Sequence, residues 1–88
     1  MSEAPEHRLK RLRMRSIRRG IKEMDLILGN FADQRLVGLS ADDLELYDAL
    51  LSENDHDLYQ WVTGQMPPPD RFSGLIAQIS GLVGVHPG

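Results

Sequence analysis

Apolar residues recur three or four positions apart along most of this 88-residue chain, and this spacing restricts the fold to one built from helices. No segment alternates apolar and polar residues, and no Asn-Gly pair marks a hairpin, so strands are not predicted. The predicted helices cover about residues 6–18, 22–36, 40–53, 55–63 and 70–83. Because the connections between them are short, neighbouring helices must pack together. The sequence therefore predicts an all-α fold, a small five-helix bundle in a single domain.

Residues that helices use as caps and stops mark several of these boundaries. Ser40 is a good N-cap for the third helix, because its hydroxyl can accept a hydrogen bond from an amide of the first turn. Gly38 and Gly64 are expected to end the second and fourth helices. The prolines at 67–69 cannot lie inside a helix, so they predict a short rigid connection before the fifth helix.

Length and composition limit the class of protein. Hydrophobic residues make up 41% of the chain, enough for the core of one domain, which we assign to residues 6–83 between flexible ends at 1–5 and 84–88. The chain has no cysteine, so disulfides and thiolate chemistry are excluded. No apolar run is long enough for a membrane helix, and no direct membrane insertion is expected. Because the first residues contain no apolar signal region, we expect a cytoplasmic location of bacterial type.

The charges are distributed unevenly along the chain. Residues 1–25 contain eight bases and four acids, whereas residues 26–88 contain two bases and nine acids. This asymmetry predicts a positive and a negative end, and hence an oriented electrostatic partner. The alternative is a dipolar protein whose charges only keep it soluble.

The basic stretch at residues 8–15 allows three kinds of partner. It lacks the aromatic residues that stack on bases, and the whole chain is acidic, so no nucleic acid partner is expected. Its three apolar residues, Leu9, Leu12 and Met14, are too few for strong insertion into a membrane surface. A protein partner with an acidic face fits at least as well.

Residues that could catalyse a reaction or bind a metal are scarce. The three histidines, His7, His56 and His86, lie far apart in the sequence. Only His56, between Asp55 and Asp57, has possible ligands beside it, and adjacent residues of a helix point in different directions, so this group is a poor chelate. The chain has no phosphate-binding loop. We therefore predict no catalytic residues, no metal site and no enzymatic activity.

Gly20 allows two interpretations of the first two helices. One unbroken helix would place five apolar residues on a single seam, namely Met14, Ile17, Ile21, Met24 and Leu28. A glycine inside that helix would cost about 1 kcal/mol relative to alanine. A break at Arg19-Gly20 would instead place Arg19 and Glu23 beside a bare backbone that a partner could approach. Both interpretations remain open on the sequence alone.

The segment around Gly20 resembles a known signature. Arg19-Gly20-x-x-Glu23, embedded in Arg-Arg-Gly-x-x-Glu-x-Asp, is similar to the RGxxE motif of the SdhE-type succinate dehydrogenase assembly factors. Further residues follow the pattern of that family in the same order: Leu39-Ser40-x-Asp42-Asp43, Leu50-Leu51, and Asp55-x-Asp57-Leu58-x-x-Trp61 before a proline-containing break. The resemblance covers about residues 8–80.

The resemblance implies a helper protein with a five-helix bundle. Family members bind the flavoprotein subunit of succinate dehydrogenase, and in some cases that of fumarate reductase, and promote covalent attachment of FAD to a histidine of that client. The chain itself would bind no cofactor stably. Carried over to this sequence, Arg19, Gly20 and Glu23 are the partner-binding residues, with Arg18 and Asp25 beside them.

The sequence also allows a second function and predicts the place of several further residues. The alternative function is a small regulatory binding protein, such as an RNA-binding regulator or the antitoxin of a toxin–antitoxin pair. Tyr47, Leu58 and Trp61 are predicted to be core residues, and Asp55 and Asp57 to cap or charge the start of the fourth helix.

Overall fold

Five α-helices make up most of the computed structural model, which describes residues 3–83. They are α1 (Pro5–Ser16), α2 (Lys22–Arg35), α3 (Ala41–Leu50), α4 (Asp55–Val62) and α5 (Ser73–Val83). Two short 3-10 turns, Leu36–Gly38 and Asp70–Phe72, follow α2 and precede α5. The predicted all-α, five-helix fold is confirmed. Flexible ends at 1–5 and 84–88 stay a prediction, because residues 1–2 and 84–88 lie outside the described part of the chain.

The core forms around α2, which packs against α1, α4 and α5. Fifteen apolar residues are buried there: Leu12, Met24, Leu28, Phe31, Ala32, Leu36, Tyr47, Leu50, Leu51, Leu58, Val62, Phe72, Leu75, Ile76 and Ile79. The rings of Phe31 and Tyr47 lie 5.3 Å apart, which joins α2 to α3 at the centre of the bundle. Among residues 3–83, no helix is long and apolar enough to cross a membrane.

Local capping chemistry sets the helix boundaries. The Asp43 amide donates a hydrogen bond of 3.1 Å to the Ser40 hydroxyl, which confirms the predicted N-cap of α3. Gly64 follows α4 and has a φ of 81°, a left-handed backbone conformation that residues other than glycine rarely adopt. Gly38 ends the 3-10 turn that extends α2.

The prediction of a core tryptophan needs correction. Tyr47 and Leu58 are fully buried, as predicted, whereas Trp61 is only partly buried. Helix α4 has eight residues, and Leu58 and Val62, four positions apart, already form its buried face. Trp61 therefore lies at the edge of the core, where its ring contacts that of Phe72 at 6.1 Å between centroids.

A pair of buried hydroxyl groups joins α1 to α3. Ser16 Oγ donates to the Leu12 carbonyl at 2.8 Å and lies 2.6 Å from the Tyr47 hydroxyl. Because the Ser16 proton is used for Leu12, the Tyr47 hydroxyl donates to Ser16. Burial raises the pKa of Tyr47 to about 12.

This pKa predicts an alkaline loss of stability. As the pH rises above about 10, the unfolded tyrosine loses its proton while the folded one keeps it, so the free energy of unfolding falls until about pH 12. The shift corresponds to a loss of about 2–3 kcal/mol. Tyr47→Phe should lower the free energy of unfolding by about 1 kcal/mol at neutral pH, but this free energy should then fall less as the pH rises.

Urea unfolding between pH 8 and 11.5 measures this difference. Tyr59→Phe, at a partly buried tyrosine of α4, is the matched control and should retain the alkaline decline of the original chain. An equal decline in Tyr47→Phe would contradict the assignment.

Candidate functional site

The chain leaves the helical conformation between α1 and α2. Helix α1 ends at Ser16 and α2 begins at Lys22, so residues 17–21 form a loop. The alternative of one continuous helix is therefore wrong. Its proposed seam does not exist either, because Met14 and Ile17 are 36% and 44% exposed. The spacing of these apolar residues fits a helix, but α1 buries only Leu12 and Ser16.

The Arg19 side chain points from this loop into the protein. Only 10% of it is exposed. Its Nε donates to Asp55 Oδ1 at 2.7 Å, and its two terminal nitrogens donate to the carbonyls of Leu51 and Glu53 at 2.7 and 3.1 Å. Both carbonyls follow the end of α3, where a helix leaves acceptors unsatisfied and its dipole favours a cation. Arg19 thus connects the α1–α2 loop to the segment between α3 and α4.

Two carboxylates fix the backbone of the same loop. Asp55, the first residue of α4, accepts from the Gly20 amide through Oδ2 at 2.7 Å while Oδ1 accepts from Arg19. Asp25, in the first turn of α2, accepts from the Arg19 amide at 2.5 Å. We call these four residues, Arg19, Gly20, Asp25 and Asp55, the loop junction.

Gly20 suits its position because it has no side chain, and not because the backbone there has a positive φ. Among the described residues, only Gly64 has a positive φ. A Cβ atom on Gly20 would lie 3.3 Å from Asp55 Oδ2, which is tighter than most Cβ contacts. A glycine here therefore lets the Asp55 carboxylate approach the loop backbone closely.

The five predicted site residues separate into two groups. Arg19, Gly20 and Asp25 are held together in the loop junction, whereas Arg18 and Glu23 are exposed on either side of it. A break at Arg19-Gly20 was expected to place both Arg19 and Glu23 beside an accessible backbone, but the Arg19 side chain turns inward and forms its ion pair with Asp55. A partner-binding role for these residues stays a prediction.

Sequence reasoning missed the part that Asp55 plays in the site. From the sequence, its position was explained as a cap or a charge at the start of α4, whereas its contacts to Arg19 and Gly20 cross more than thirty residues. Asn54, and not Asp55, caps α4, since its side chain accepts from the His56 amide at 2.8 Å. A carboxylate next to a residue that already caps the helix is the one local signal of a second role.

Much of the basic surface of α1 is paired within the protein. Arg11 donates to Glu3 and to Asp48, and Arg15 also pairs with Asp48. The hydrogen bond from Arg11 holds the pKa of Asp48 below its usual range. Arg13, at the exposed surface, pairs with Asp33 at 2.8 Å. The basic and acidic parts of the sequence therefore neutralise each other across α1, α2 and α3, and leave less charge for a distant partner than the sequence predicted.

Two concave surfaces flank the loop junction. A basic pocket of about 260 Å³ is lined by Arg11, Met14, Arg15, Arg18 and Arg19. A more apolar groove of about 390 Å³ is lined by Glu23, Leu26, Ile27, Asn30, Tyr59, Thr63, Leu82 and Val83. The two exposed predicted site residues thus lie on different surfaces, Arg18 at the pocket and Glu23 at the groove. Both surfaces are accessible to a macromolecular partner.

Comparison with known proteins places this arrangement in a family. Residues 10–83 match the sequence model of a family described as "flavinator of succinate dehydrogenase". The chain belongs to this family. The match includes all of α2 to α5 and the whole loop junction.

Similar proteins carry a matching name, "succinate dehydrogenase assembly factor 2, mitochondrial". The chain is 40% identical to that of Candida glabrata over 75 residues, which are 82% of this chain and 49% of the relative. It is 44% identical to that of Meyerozyma guilliermondii over 73 residues, or 80% of this chain and 54% of the relative. The 2-A form of Drosophila persimilis is 36% identical over 80 residues, or 89% and 50% of the two chains. The chain thus spans about half the length of these relatives.

These relatives overturn the expected location. A cytoplasmic location of bacterial type was inferred from the first residues, but the relatives from fungi and flies are named as mitochondrial proteins. The prediction of a cytoplasmic location of bacterial type is therefore wrong.

The geometry of Gly20 yields a test of the loop junction. Gly20→Ala should lower the free energy of unfolding by about 1 kcal/mol, because the new Cβ displaces the Asp55 carboxylate and weakens a charged hydrogen bond. Gly74→Ala is the control, since a Cβ there meets no atom within 4 Å and the residue lies in α5. In that control the free energy of unfolding should rise by up to about 1 kcal/mol, because alanine favours a helix more than glycine does. Chemical denaturation measures both, and a stabilised Gly20→Ala would contradict the assigned contact.

Proposed function

We propose that this chain binds the flavoprotein subunit of succinate dehydrogenase and promotes the covalent attachment of FAD to that subunit. The observation that carries the proposal is the family match, which spans residues 10–83 and contains the complete RGxxE motif. Relatives named as succinate dehydrogenase assembly factors support it. In this proposal the chain is not an enzyme and binds no cofactor stably, and the FAD is attached to the client.

A small binding protein can promote such a reaction without catalytic groups of its own. The flavin and the client supply the reacting atoms, and the barrier falls when the client site is held in the competent conformation. A protein that binds the competent conformation more tightly than the others increases the population of that conformation, at most by the ratio of the two affinities. Assistance of this kind requires a rigid binding surface and not a catalytic residue.

The loop junction supports this kind of surface. The α1–α2 loop would be mobile if it were held only by its own residues, but Asp55 and Asp25 hold its amides and Arg19 joins it to the end of α3. Arg18 and Glu23 are exposed next to this rigid loop and can make directional, charged hydrogen bonds to a client.

The alternative of a nucleic-acid-binding regulator or antitoxin gains no support from the charge distribution. Arg11, Arg13 and Arg15 are paired with acids of the same chain. A phosphate backbone would have to compete with these acids for the basic face of α1.

Glu23 provides the direct test of the proposal. Glu23→Ala should reduce binding to the flavoprotein subunit by about 10- to 100-fold, because the loss of a charged hydrogen bond costs about 1.5–3 kcal/mol. Since Glu23 is exposed, the free energy of unfolding should change by less than about 0.5 kcal/mol. The readout is covalent flavin on the client in cells that lack their own assembly factor and are complemented with each variant.

Glu45→Ala is the matched control, because it removes an exposed acid from α3. It should restore flavin attachment as fully as the unsubstituted chain. Failure of the unsubstituted chain to restore any covalent flavin would overturn the proposed function. The same cells supplied with the fumarate reductase flavoprotein test the second client that the resemblance implies.

A further inference from the structure

We propose that Asp55 is a positioning residue for partner binding, and that the RGxxE motif depends on this distant carboxylate as on a fourth residue. The inference rests on the proposed function, since it concerns the surface that the client would contact. It assigns Arg19 and Asp55 to the support of that surface, and leaves Glu23 to make the contact.

The burial of the pair makes direct contact by Arg19 a poor explanation of its place in the motif. The side chains of Arg19 and Asp55 are 10% and 16% exposed, and each nitrogen of the guanidinium already donates to an acceptor within the protein. A partner that took the place of Asp55 or of either carbonyl group would have to break these bonds. Breaking such a pair leaves an uncompensated charge in a poorly solvated place.

Asp55 uses its two oxygens for two different parts of the loop. One accepts from the side chain of Arg19 and the other from the backbone of Gly20, both at 2.7 Å. An asparagine cannot replace it, because an amide offers one acceptor oxygen and turns its NH₂ group towards the other donor. The site therefore requires a carboxylate for its two acceptor oxygens as well as for its negative charge.

The loop that Asp55 holds determines where Glu23 stands. Helix α2 begins at Lys22, directly after the loop, and Glu23 is its second residue. The Asp25 carboxylate, two positions further on, accepts from the Arg19 amide and so joins the first turn of α2 to the fixed loop. Displacement of Arg19 or Gly20 would thus shift the first turn of α2 and the carboxylate of Glu23 with it.

A purely structural role for Asp55 makes a different prediction. If Asp55 only stabilised the fold, the folded Asp55→Asn protein would present Glu23 normally, and Glu23→Ala would weaken binding equally in both backgrounds. If Asp55 positions Glu23, the contact is already lost in Asp55→Asn, and Glu23→Ala then has little further effect. The coupling between the two substitutions separates these roles.

The experiment measures the dissociation constant for the apo flavoprotein subunit of succinate dehydrogenase, below the melting temperature of every variant. Asp55→Asn is expected to weaken binding at least tenfold. Asp57→Asn is the control, because it removes an exposed acid from the same first turn of α4, and it should change binding less than twofold. Glu23→Ala should weaken binding less than twofold further in the Asp55→Asn background.

Amide hydrogen exchange gives a readout that does not involve the client. The Gly20 amide should exchange faster in Asp55→Asn than in Asp57→Asn, because it loses its acceptor. If Asp55→Asn does not fold, Asp55→Glu replaces it, since glutamate retains the charge but moves both oxygens by one methylene group.

The outcomes separate the two proposals. No binding by the unsubstituted chain would overturn the proposed function. Binding by that chain together with unchanged binding by Asp55→Asn, or an equal effect of Glu23→Ala in both backgrounds, would overturn the positioning role alone.

Discussion

The guanidinium of Arg19 is the group on which the arrangement of the helices depends. A cation removed from water costs several kcal/mol unless charges and acceptors replace its hydration. Here the replacement comes from the Asp55 carboxylate and from two carbonyls beyond the end of α3. These groups belong to the segment that joins α3 to α4, whereas Arg19 belongs to the loop between α1 and α2. This one charge, of which little is exposed, therefore holds the α1–α2 loop against the segment between α3 and α4.

The same principle of internal compensation explains the uneven charge of the sequence. The bases are concentrated in α1 because that helix lies beside acids of α2 and α3, such as Asp33 and Asp48. A pattern that suggests an electrostatic partner when read along the chain thus describes contacts within the fold. Two charged side chains near the loop junction, Arg18 and Glu23, remain exposed, one at the basic pocket and the other at the apolar groove.

Features that depend on residues close together in the sequence could be predicted. The five helices follow from apolar spacing, and the Ser40 cap follows from the chemistry of a hydroxyl before a helix. The break at Gly20 could not be decided, because the apolar residues around it fit a continuous helix equally well. The partner of Arg19 could not be found at all, since it lies 36 residues away and has a sufficient local explanation. Arg19, Gly20 and Asp25 of the candidate site do lie together, but the inward direction of Arg19 depends on tertiary contacts, and the role of these residues in binding a partner stays a prediction.

The hydroxyl pair of Ser16 and Tyr47 affects how α1 is aligned along α3. Leucine and methionine side chains in a helix interface can exchange neighbours at small cost, so an entirely apolar contact between α1 and α3 would tolerate sliding. A slip of α1 by one turn would separate the two hydroxyls and leave the Tyr47 group in an apolar environment without an acceptor. This buried polar contact, together with the ion pairs of Arg11 and Arg15 with Asp48, favours one register of α1 against α3. By fixing where α1 ends, it also sets the point from which the loop to α2 departs.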